Sequence, residues 1–404
     1  MTGSSSSPAP SLPIVRLKPK ADASRIRRGQ PWVYADDVVT DRRTKAIAPG
    51  SLAILQDAGR TNIGLVAVNG ASKLMLRVLS PDVETQIDQA WFEAKLTRAL
   101  ELRSRLYDAP YYRLVHAEGD GLPGVVIDRF GDICVIQPNA AWVETRFDML
   151  VAALIKVTGV GTVYKNASGR TRELEGLDGE SGVVTGAIEG PVEVSMNGAT
   201  YLADIAGGQK TGLFYDQRPN HLFAAGLAKD ARVLDVFSHV GGFGLAALAG
   251  GAASALAVDG SEPALTLAEQ GAAASGWSDK FETRKGDAFK VMEALSQEGR
   301  VFDLVIADPP AFAPSKTALQ NGLTAYSRVA SMASRLVAPG GYLVLCSCSH
   351  AAELNKFRQA SLRGIGKRER HAQLLHTGQA GPDHPVHEAL AESSYLKALF
   401  FRLD

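Results

Sequence analysis

The chain has 404 residues, of which 43 are Lys or Arg, 43 are Asp or Glu and 46% are hydrophobic. This length predicts two or three domains, and a net charge of zero excludes polyanion binding through overall composition. The lack of an apolar run of transmembrane length predicts no membrane association, and three cysteines (Cys134, Cys346 and Cys348) are too few for a disulfide framework and fit a cytoplasmic location.

The chain begins with a predicted tail and a small β-rich domain. Residues 1–12 are rich in Ser and Pro and lack the charged-then-apolar order of a signal peptide, which predicts a disordered tail. Residues 13–83 contain four strand-like apolar runs separated by turn residues. Together these features predict a β domain that starts just after the tail.

A basic stretch lies inside this β-rich domain. Residues 16–45 carry nine Lys or Arg against four Asp, and their middle part has the pattern of a short basic helix. Basic side chains beside aromatic Trp32 are typical of an RNA-binding surface, so we expect Lys18, Arg27 and Arg28 to contact RNA. A solvated charged face with Trp32 in the core is the alternative that the residues leave open.

Residues 84–190 are predicted to form an α+β middle domain. Apolar periodicity indicates two helices, over residues 81–106 and 143–157. Short apolar runs indicate three strands, over residues 133–137, 162–164 and 182–185. Cys134 falls inside the first of these strands, where a buried packing role is the better interpretation.

Residues 191–404 alternate strands and helices to the end, which predicts a mostly parallel sheet covered on both faces. The apolar run Val233–Val236 is followed by a glycine cluster (Gly241, Gly242 and Gly244) and a helix-forming run. Strand, tight turn and helix in this order begin a doubly wound nucleotide-binding sheet. A glycine turn with a purely structural role is the alternative.

The acidic residues near this turn favour one cofactor. Asp235 would repel a pyrophosphate but suits a cationic amino-acid group, and Asp259, after the next strand, can accept hydrogen bonds from a ribose. Adenosine joined to a positively charged amino acid describes S-adenosylmethionine (SAM). Such sheets bind ligands at the carboxyl ends of their strands. Four carboxylates and one thiol are predicted at or near these ends, those of Asp235, Asp259, Asp287, Asp308 and Cys348.

Two further motifs follow predicted strands. Asp308-Pro309-Pro310 makes a rigid platform for a planar base, because proline fixes φ. Cys348 lies in a turn rich in Ser and His, where a thiol can be partly exposed and activated as a thiolate. A metal bound to Cys346 and Cys348 would need more ligands than His350 supplies, so we predict no metal site.

The combination of these motifs resembles a class I SAM-dependent methyltransferase, and more closely the PUA-domain family that methylates cytosine C5 in large-subunit ribosomal RNA. The segments that carry the resemblance are Asp235–Gly244, Asp259, Gly286–Ala288, Asp308–Pro310, Ser347–Ser349, Gly207–Arg218, Asp120–Arg129, Asp383–His387 and Tyr395–Lys397. It implies an α/β fold with a C-terminal Rossmann-like methyltransferase domain over residues 191–404, an N-terminal β-rich PUA domain and an α+β middle domain.

The resemblance also implies roles for individual residues. Cys348 would be the nucleophile, with Cys346 as a packing residue. The SAM pocket would be lined by Asp235, Phe237, Gly241, Asp259, Asp287 and Asp308. Arg218, Pro309 and Pro310 would contact the RNA substrate.

One departure and three alternatives accompany this interpretation. Many RNA cytosine-5 methyltransferases carry a second cysteine where this chain has Ala311, so another base must release the product, and Asp308 and His384 are the candidates. A related subfamily with a similar Asp-Pro-Pro-x-Phe stretch methylates guanine N7. A non-catalytic RNA-binding protein is the remaining functional alternative, and the residues leave a monomer and a homodimer both open.

Overall fold

The computed structural model of the protein describes residues 12–207 and 212–404. The predicted tail therefore lies outside the described residues, apart from Leu12, as do residues 208–211 of the Gly207–Arg218 segment. The described residues form a five-stranded sheet, a second five-stranded sheet, a hairpin and a seven-stranded sheet. None of their helices is long and apolar enough to cross a membrane.

The first sheet has the strand order β1-β3-β4-β5-β2 and surrounds its own apolar core. Its elements are β1 (Ile14–Arg16), α1 (Ala23–Arg27), β2 (Trp32–Tyr34), α2 (Arg42–Lys45), β3 (Leu52–Gln56), β4 (Asn62–Val68) and β5 (Leu74–Ser80). The predicted basic helix is confirmed as α1, which Asp22 caps by accepting a hydrogen bond from the Arg25 amide. The four predicted strands are confirmed, and β2 adds a fifth at the edge.

The second sheet has the order β10-β9-β8-β7-β6. Its elements are α3 (Gln89–Leu106), β6 (Tyr111–His116), β7 (Val125–Phe130), β8 (Ile133–Pro138), α4 (Ala141–Glu144), α5 (Phe147–Thr158), β9 (Thr162–Lys165), α6 (Arg170–Glu175) and β10 (Gly182–Thr185). The three predicted strands are confirmed. Cys134 is fully buried in β8, as expected.

Both helix predictions for this region were partly wrong. The helix expected from residue 81 begins only at Gln89, because the Asp88 side chain accepts from the Trp91 amide and fixes the start there. The single helix expected over residues 143–157 is divided into α4 and α5. At the break, side chains of Thr145 and Arg146 donate hydrogen bonds to the Trp142 carbonyl.

The seven-stranded sheet has the order β15-β14-β13-β16-β17-β19-β18, and the separate hairpin pairs β11 with β12. The elements in chain order are β11 (Val192–Met196), β12 (Ala199–Ala203), α7 (Arg218–Gly226), β13 (Arg232–Val236), α8 (Gly242–Ala249), β14 (Ser254–Asp259), α9 (Glu262–Ala274), β15 (Phe281–Lys285), α10 (Ala288–Gln297), β16 (Phe302–Ala307), α11 (Leu319–Arg335), β17 (Val337–Ser347), α12 (Leu354–Gly366), β18 (Ala372–Gly378) and β19 (Lys397–Leu403).

The sheet is mostly parallel, as predicted, but the alternation does not continue to the end of the chain. Strands β13 to β17 pair in parallel, whereas β19 pairs antiparallel with both β17 and β18. Strand β13 has β14 on one side and β16 on the other, so the order of strands reverses there. In open α/β sheets, ligands bind at the carboxyl ends of the strands beside such a reversal.

Buried polar groups join the second sheet to its neighbours. Arg103, which is fully buried, donates to both Asp120 oxygens (2.6 and 2.8 Å) and to the Asp383 carbonyl (2.7 Å). The Arg113 amide donates to the Asp383 carboxylate (3.0 Å). These bonds tie the second sheet to the segment between β18 and β19, because Asp383 lies in that segment.

Candidate active site and cofactor pocket

The loop after β13 has an unusual backbone that glycine alone does not explain. Phe237 and His239 have φ values of +63° and +50°, in the left-handed region that non-glycine residues seldom adopt. Gly241 follows at φ +81°, just before α8. A Cβ on Gly242 would lie 2.9 Å from the His221 ring. The loop is therefore held close to its surroundings at the start of α8.

Asp235 lies beneath this loop and is only 1% exposed. Its Oδ2 accepts a hydrogen bond from the Gly244 amide (2.8 Å), and its Oδ1 is buried without a hydrogen-bond partner. Burial raises the pKa of Asp235 to about 7. A cationic group at this position would both complete the hydrogen bonding and favour the ionised carboxylate, so the residue fits the amino-acid part of SAM.

Asp259 and Asp287 follow the next two strands of the sheet. Asp259, at the end of β14, accepts from the His239 amide (2.9 Å) and the Ser261 amide (2.8 Å), and so orders the loop after β13. Asp287 is exposed and caps α10 by accepting from the Lys290 amide (3.0 Å). The aromatic ring of Phe237 meets that of Phe289 edge-on, with 6.3 Å between centroids.

Asp308 follows β16, on the other side of β13. Its Oδ2 accepts from Gln217 Nε2 (2.9 Å), and its amide donates to the Val236 carbonyl (3.2 Å). Pro309 is buried and Pro310 is exposed, so the motif runs outward from the sheet. Sequence reasoning missed Gln217, although it stands directly before Arg218 in a segment that carried the resemblance.

The two cysteines of β17 and its following turn differ sharply. Cys346 is 1% exposed, and burial raises the pKa of its thiol well above the usual value. Cys348, one residue beyond the strand, is partly exposed. A thiol that must reach a substrate needs such exposure, whereas Cys346 packs in the core with Val344 and Phe400.

A chain of hydroxyl groups fixes the turn that contains Cys348. Ser347 Oγ donates to the Tyr326 hydroxyl (2.9 Å), which shares a hydrogen bond with Ser349 Oγ (2.8 Å). Ser349 Oγ also accepts from the Ala313 amide (2.9 Å). The turn is thereby held against the segment that follows Asp308.

Lys397 is a second residue that sequence reasoning missed. It lies at the start of β19, opposite Ser347 of β17, and it is 7% exposed. Its Nζ donates to the Ser349 carbonyl (2.7 Å). Burial lowers the pKa of Lys397 to about 8, while the charge of Cys348 opposes that shift. The only signal in the sequence was its place in the Tyr395–Lys397 segment.

His384 is placed differently from Asp308, the other candidate base. It is 3% exposed, and its Nδ1 hydrogen-bonds to Asp383 Oδ1 (2.9 Å). Burial opposes ionisation of Asp383, but His384 and Arg113 hold its pKa below the usual value. The His384 ring lies 4.9 Å from that of His116. His384 is therefore part of a buried polar network, whereas Asp308 is partly exposed.

Arg218 lies at the start of α7 and is half-buried. Its guanidinium stacks on Tyr107, with 4.2 Å from Cζ to the ring centroid. Its Nη1 is buried without a hydrogen-bond partner. An anionic ligand group would supply the missing acceptor.

The predicted RNA-contacting residues of the first sheet are not equally available. Arg27 forms an ion pair with Asp57 (2.6 Å), and Lys18 donates to the Asp36 carbonyl (2.8 Å). Arg28 is more exposed than Arg27, and its guanidinium lies 4.0 Å from the Asp22 carboxylate. They belong to the sheet that precedes the methyltransferase-like part, not to the strand-end pocket.

Trp32 matches neither of its two predicted positions. It is half-buried, and its Nε1 donates to Glu118 Oε1 (2.8 Å) at the junction of the first two sheets. Its ring is thus neither a freely exposed platform nor a core residue. As for metal binding, no group of three or more His, Cys, Asp or Glu side chains within residues 12–207 and 212–404 could hold an ion.

Comparison with known proteins decides the family. A model of S-adenosylmethionine-dependent methyltransferases matches residues 177–402, and a model of PUA-like domains matches residues 15–81. The chain belongs to the SAM-dependent methyltransferases. The cofactor predicted from the strand ends is therefore confirmed as SAM, and the PUA-like part of the fold prediction is confirmed as well.

Similar proteins span the whole length of this methyltransferase. It is 34% identical to a ribosomal RNA large subunit methyltransferase of Deinococcus radiodurans, over 99% of this chain and 100% of the relative. It is also 34% identical to ribosomal RNA large subunit methyltransferase I of Alteromonas mediterranea, over 95% of this chain and 97% of that protein.

Solved structures show the same fold. A chain from Streptococcus mutans described as a SAM-dependent methyltransferase has a TM-score of 0.81 at 19% identity and covers 97% of this chain and 100% of its own length. A methyltransferase complexed with SAH has a TM-score of 0.81 at 20% identity, with 96% and 99% covered. The predicted class I α/β methyltransferase fold with an N-terminal PUA-like domain is confirmed.

Proposed function

We propose that this methyltransferase forms 5-methylcytosine in large-subunit ribosomal RNA, with Cys348 as its nucleophile. The RNA class follows from the names of the relatives, which are ribosomal RNA large subunit methyltransferases. The observation that carries the chemistry is the contrast between a partly exposed Cys348, in a turn held by hydroxyl groups, and a fully buried Cys346. Methyl transfer to cytosine C5 requires such a thiol.

The proposed SAM pocket lies on both sides of β13. When bound, SAM supplies an electrophilic methyl group. We assign Asp235 to its amino-acid part, because a cationic partner would give the buried Oδ1 a hydrogen bond and would offset the burial that raises the pKa of this carboxyl. Asp259 would hold the ribose of SAM, and Asp287 and Asp308 would face its adenine. Phe237 and Gly241 would shape the pocket.

The thiolate of Cys348 then performs the addition and the elimination. Its sulfur would form a bond to C6 of cytosine while the electron pair of the C5=C6 bond shifts to C5. C5 would then take the methyl group, and the electron pair of the broken sulfur–methyl bond would stay on the cofactor sulfur, which leaves as a neutral thioether. A base removes the proton from C5, the C5=C6 bond re-forms and the thiolate leaves. We assign the base to Asp308 rather than His384, because the Asp308 carboxylate is partly exposed whereas His384 is buried against Asp383.

The target base must leave its stack to reach Cys348, since C6 of a stacked cytosine is covered. Pro309 and Pro310 offer a rigid edge for the extruded base, and Arg218 offers an unpaired N–H to a phosphate. Lys18, Arg27 and Arg28 would bind RNA farther along, through the PUA-like sheet. Methylation of guanine N7 is the second candidate, which the stretch Asp308–Phe312 favours.

Site-specific replacement of the two cysteines tests this proposal. Cys348→Ser should abolish methyl transfer to large-subunit rRNA and leave SAM binding intact, whereas Cys346→Ser should retain most activity. An RNA that contains 5-fluorocytosine should trap the wild-type enzyme as a covalent adduct, because no proton can leave C5, and the modified peptide should contain Cys348. Activity in Cys348→Ser, or a methyl group mapped to guanine N7, would refute the cytosine mechanism.

A further inference from the structure

We infer that Lys397 is a positioning residue that keeps Cys348 in its thiolate form by placing a buried ammonium group beside the nucleophile. This inference rests on the proposed role of Cys348. It concerns the ionisation of the thiol, which can be measured without methyl transfer.

The strand pairing brings the two residues together. Lys397 lies opposite Ser347 in the antiparallel pair of β19 and β17, and its Nζ donates to the carbonyl of Ser349. The lysine thus reaches past Cys348, from the residue before it to the residue after it. The hydrogen bond fixes both the ammonium group and the backbone of the turn.

Lys397 has unusual surroundings for a buried cation. Buried lysines are normally paired with a carboxylate, yet within the described part of the chain the acceptor that Lys397 hydrogen-bonds is a neutral carbonyl. The anion that favours its charged form is the Cys348 thiolate. An isolated buried charge is costly, so ionisation of the thiol stabilises the lysine and the charged lysine stabilises the thiolate.

Three other titratable side chains within residues 12–207 and 212–404 interact electrostatically with Cys348 and carry no positive charge. Tyr326 from α11, Tyr395 from the segment before β19 and Cys346 from β17 all have pKa values raised by burial, and all three are uncharged near neutral pH. Asp308, after β16, is an acid and opposes ionisation of the Cys346 thiol. Lys397 is the buried cation that the strand pairing and its hydrogen bond to Ser349 place beside Cys348.

The test measures the pH dependence of Cys348 alkylation by iodoacetamide in the full chain, with the modified cysteine identified by mass spectrometry. The wild-type thiol should titrate below about 8.5, the ordinary value for cysteine. Lys397→Gln keeps a donor for the Ser349 carbonyl but removes the charge. It should raise the alkylation midpoint by about 1–3 pH units, which slows alkylation at pH 7 by up to about tenfold for each pH unit of the shift. Lys397→Arg should restore most of the shift.

Arg402→Met is the matched control, because it removes a long, exposed cation from the same strand and should leave the midpoint unchanged. The inference is overturned if Lys397→Gln folds, still binds SAM and has the alkylation midpoint of the wild type. It is also overturned if the wild-type midpoint lies at or above about 8.5, a result that needs no folded Lys397 variant. If Lys397→Gln shows the expected rise of the alkylation midpoint but the methyl group is found on guanine N7, the proposed function is overturned, whereas the effect of Lys397 on the ionisation of Cys348 stands.

Discussion

At the scale of single residues, three buried polar atoms of the described residues lie near the loop after β13 without a hydrogen-bond partner. Asp235 Oδ1, Ser238 Oγ and His221 Nδ1 are all buried and lack hydrogen bonds. Asp235 and Ser238 flank the turn, and the His221 ring contacts Gly242. Unsatisfied buried polar atoms are uncommon and costly in folded proteins, so three of them beside one loop are typical of a site that a ligand completes.

The first residue-scale prediction concerns Asp235. Its folded pKa of about 7 lies above the ordinary value of 3.8, so the native state holds this proton more tightly than the unfolded chain does. Its contribution to the free energy of unfolding is therefore present below pH 4 and is lost as pH rises towards 7. Asp235→Asn should stabilise the cofactor-free protein at pH 8 by about 1–3 kcal/mol and have little effect at pH 4.

Urea unfolding at both pH values, followed by circular dichroism, measures this difference. The same variant should bind SAM more weakly, because the neutral amide cannot pair with a cationic amino group. Equal stability changes at pH 4 and pH 8 would contradict the assigned ionisation of Asp235.

The second residue-scale prediction concerns Asp259. Asp259→Ala should weaken SAM binding by about 1.5–3 kcal/mol, the value of a hydrogen bond to a charged group. The loop should also loosen, because Asp259 accepts from the His239 and Ser261 amides. Isothermal titration calorimetry measures the affinity, and Asp303→Ala, at the opposite end of the sheet, is the control. Unchanged affinity in Asp259→Ala would refute the ribose assignment.

At the scale of whole elements, one arginine joins the first two sheets. Arg77 of β5 is buried and forms ion pairs with Glu118 (3.1 Å) and Glu175 (3.0 Å). Trp32 of β2 donates to the same Glu118, and Asn69 donates to Glu175. The PUA-like sheet is therefore fixed to the second sheet through a shared set of buried charges.

Removing the Arg77 cation from this junction should strongly destabilise the folded protein. Arg77→Met leaves two buried carboxylates unpaired, and loss of one partner from a buried ion pair costs about 3–5 kcal/mol. We expect thermal unfolding at a clearly lower temperature, measured by differential scanning calorimetry. Lys73→Met, an exposed cation just before β5, should unfold like the wild type. An unchanged transition in Arg77→Met would show that the junction contributes little to stability.

Sequence patterns predicted the elements that depend on local apolar order. The runs that form β13, β14, β16 and β17 were recognisable, and so the carboxylates and the thiol at or near their ends were found. The functions of Gln217 and Lys397 were not predictable, because each depends on a partner distant in the chain. Lys397 reaches Ser349 only through the antiparallel pairing of β19 with β17, and the sequence had suggested continued alternation instead.

At the scale of the whole molecule, zero net charge conceals an uneven distribution. Basic residues of the first sheet lie on one part of the fold, and the strand-end pocket lies on another. An RNA that spans both parts would release counterions where it binds the basic residues, and it would present a nucleobase to the strand-end pocket. Affinity and catalysis should therefore respond to different substitutions.

The prediction at this scale is that substitutions in the basic stretch weaken RNA binding without weakening SAM binding. Lys18→Gln with Arg28→Gln should weaken binding to rRNA fragments and lower the slope of log affinity against log salt by about one per lost phosphate contact. Lys229→Gln with Lys280→Gln, exposed cations before β13 and β15, is the control pair. Fluorescence anisotropy over a salt series measures both pairs. Identical salt slopes would exclude the basic stretch from the RNA interface.

The hydrogen bond between Arg113 and Asp383 cannot form until the ribosome has translated Asp383. The two residues are 270 positions apart, and Arg103 takes its carbonyl acceptor from the same Asp383. At about 5–20 residues per second, translation needs on the order of 15–50 s to cover that distance. During that interval the nascent second sheet carries polar groups whose native acceptors do not yet exist. A ribosome-associated chaperone that binds this part of the emerging chain would cover those groups during the interval.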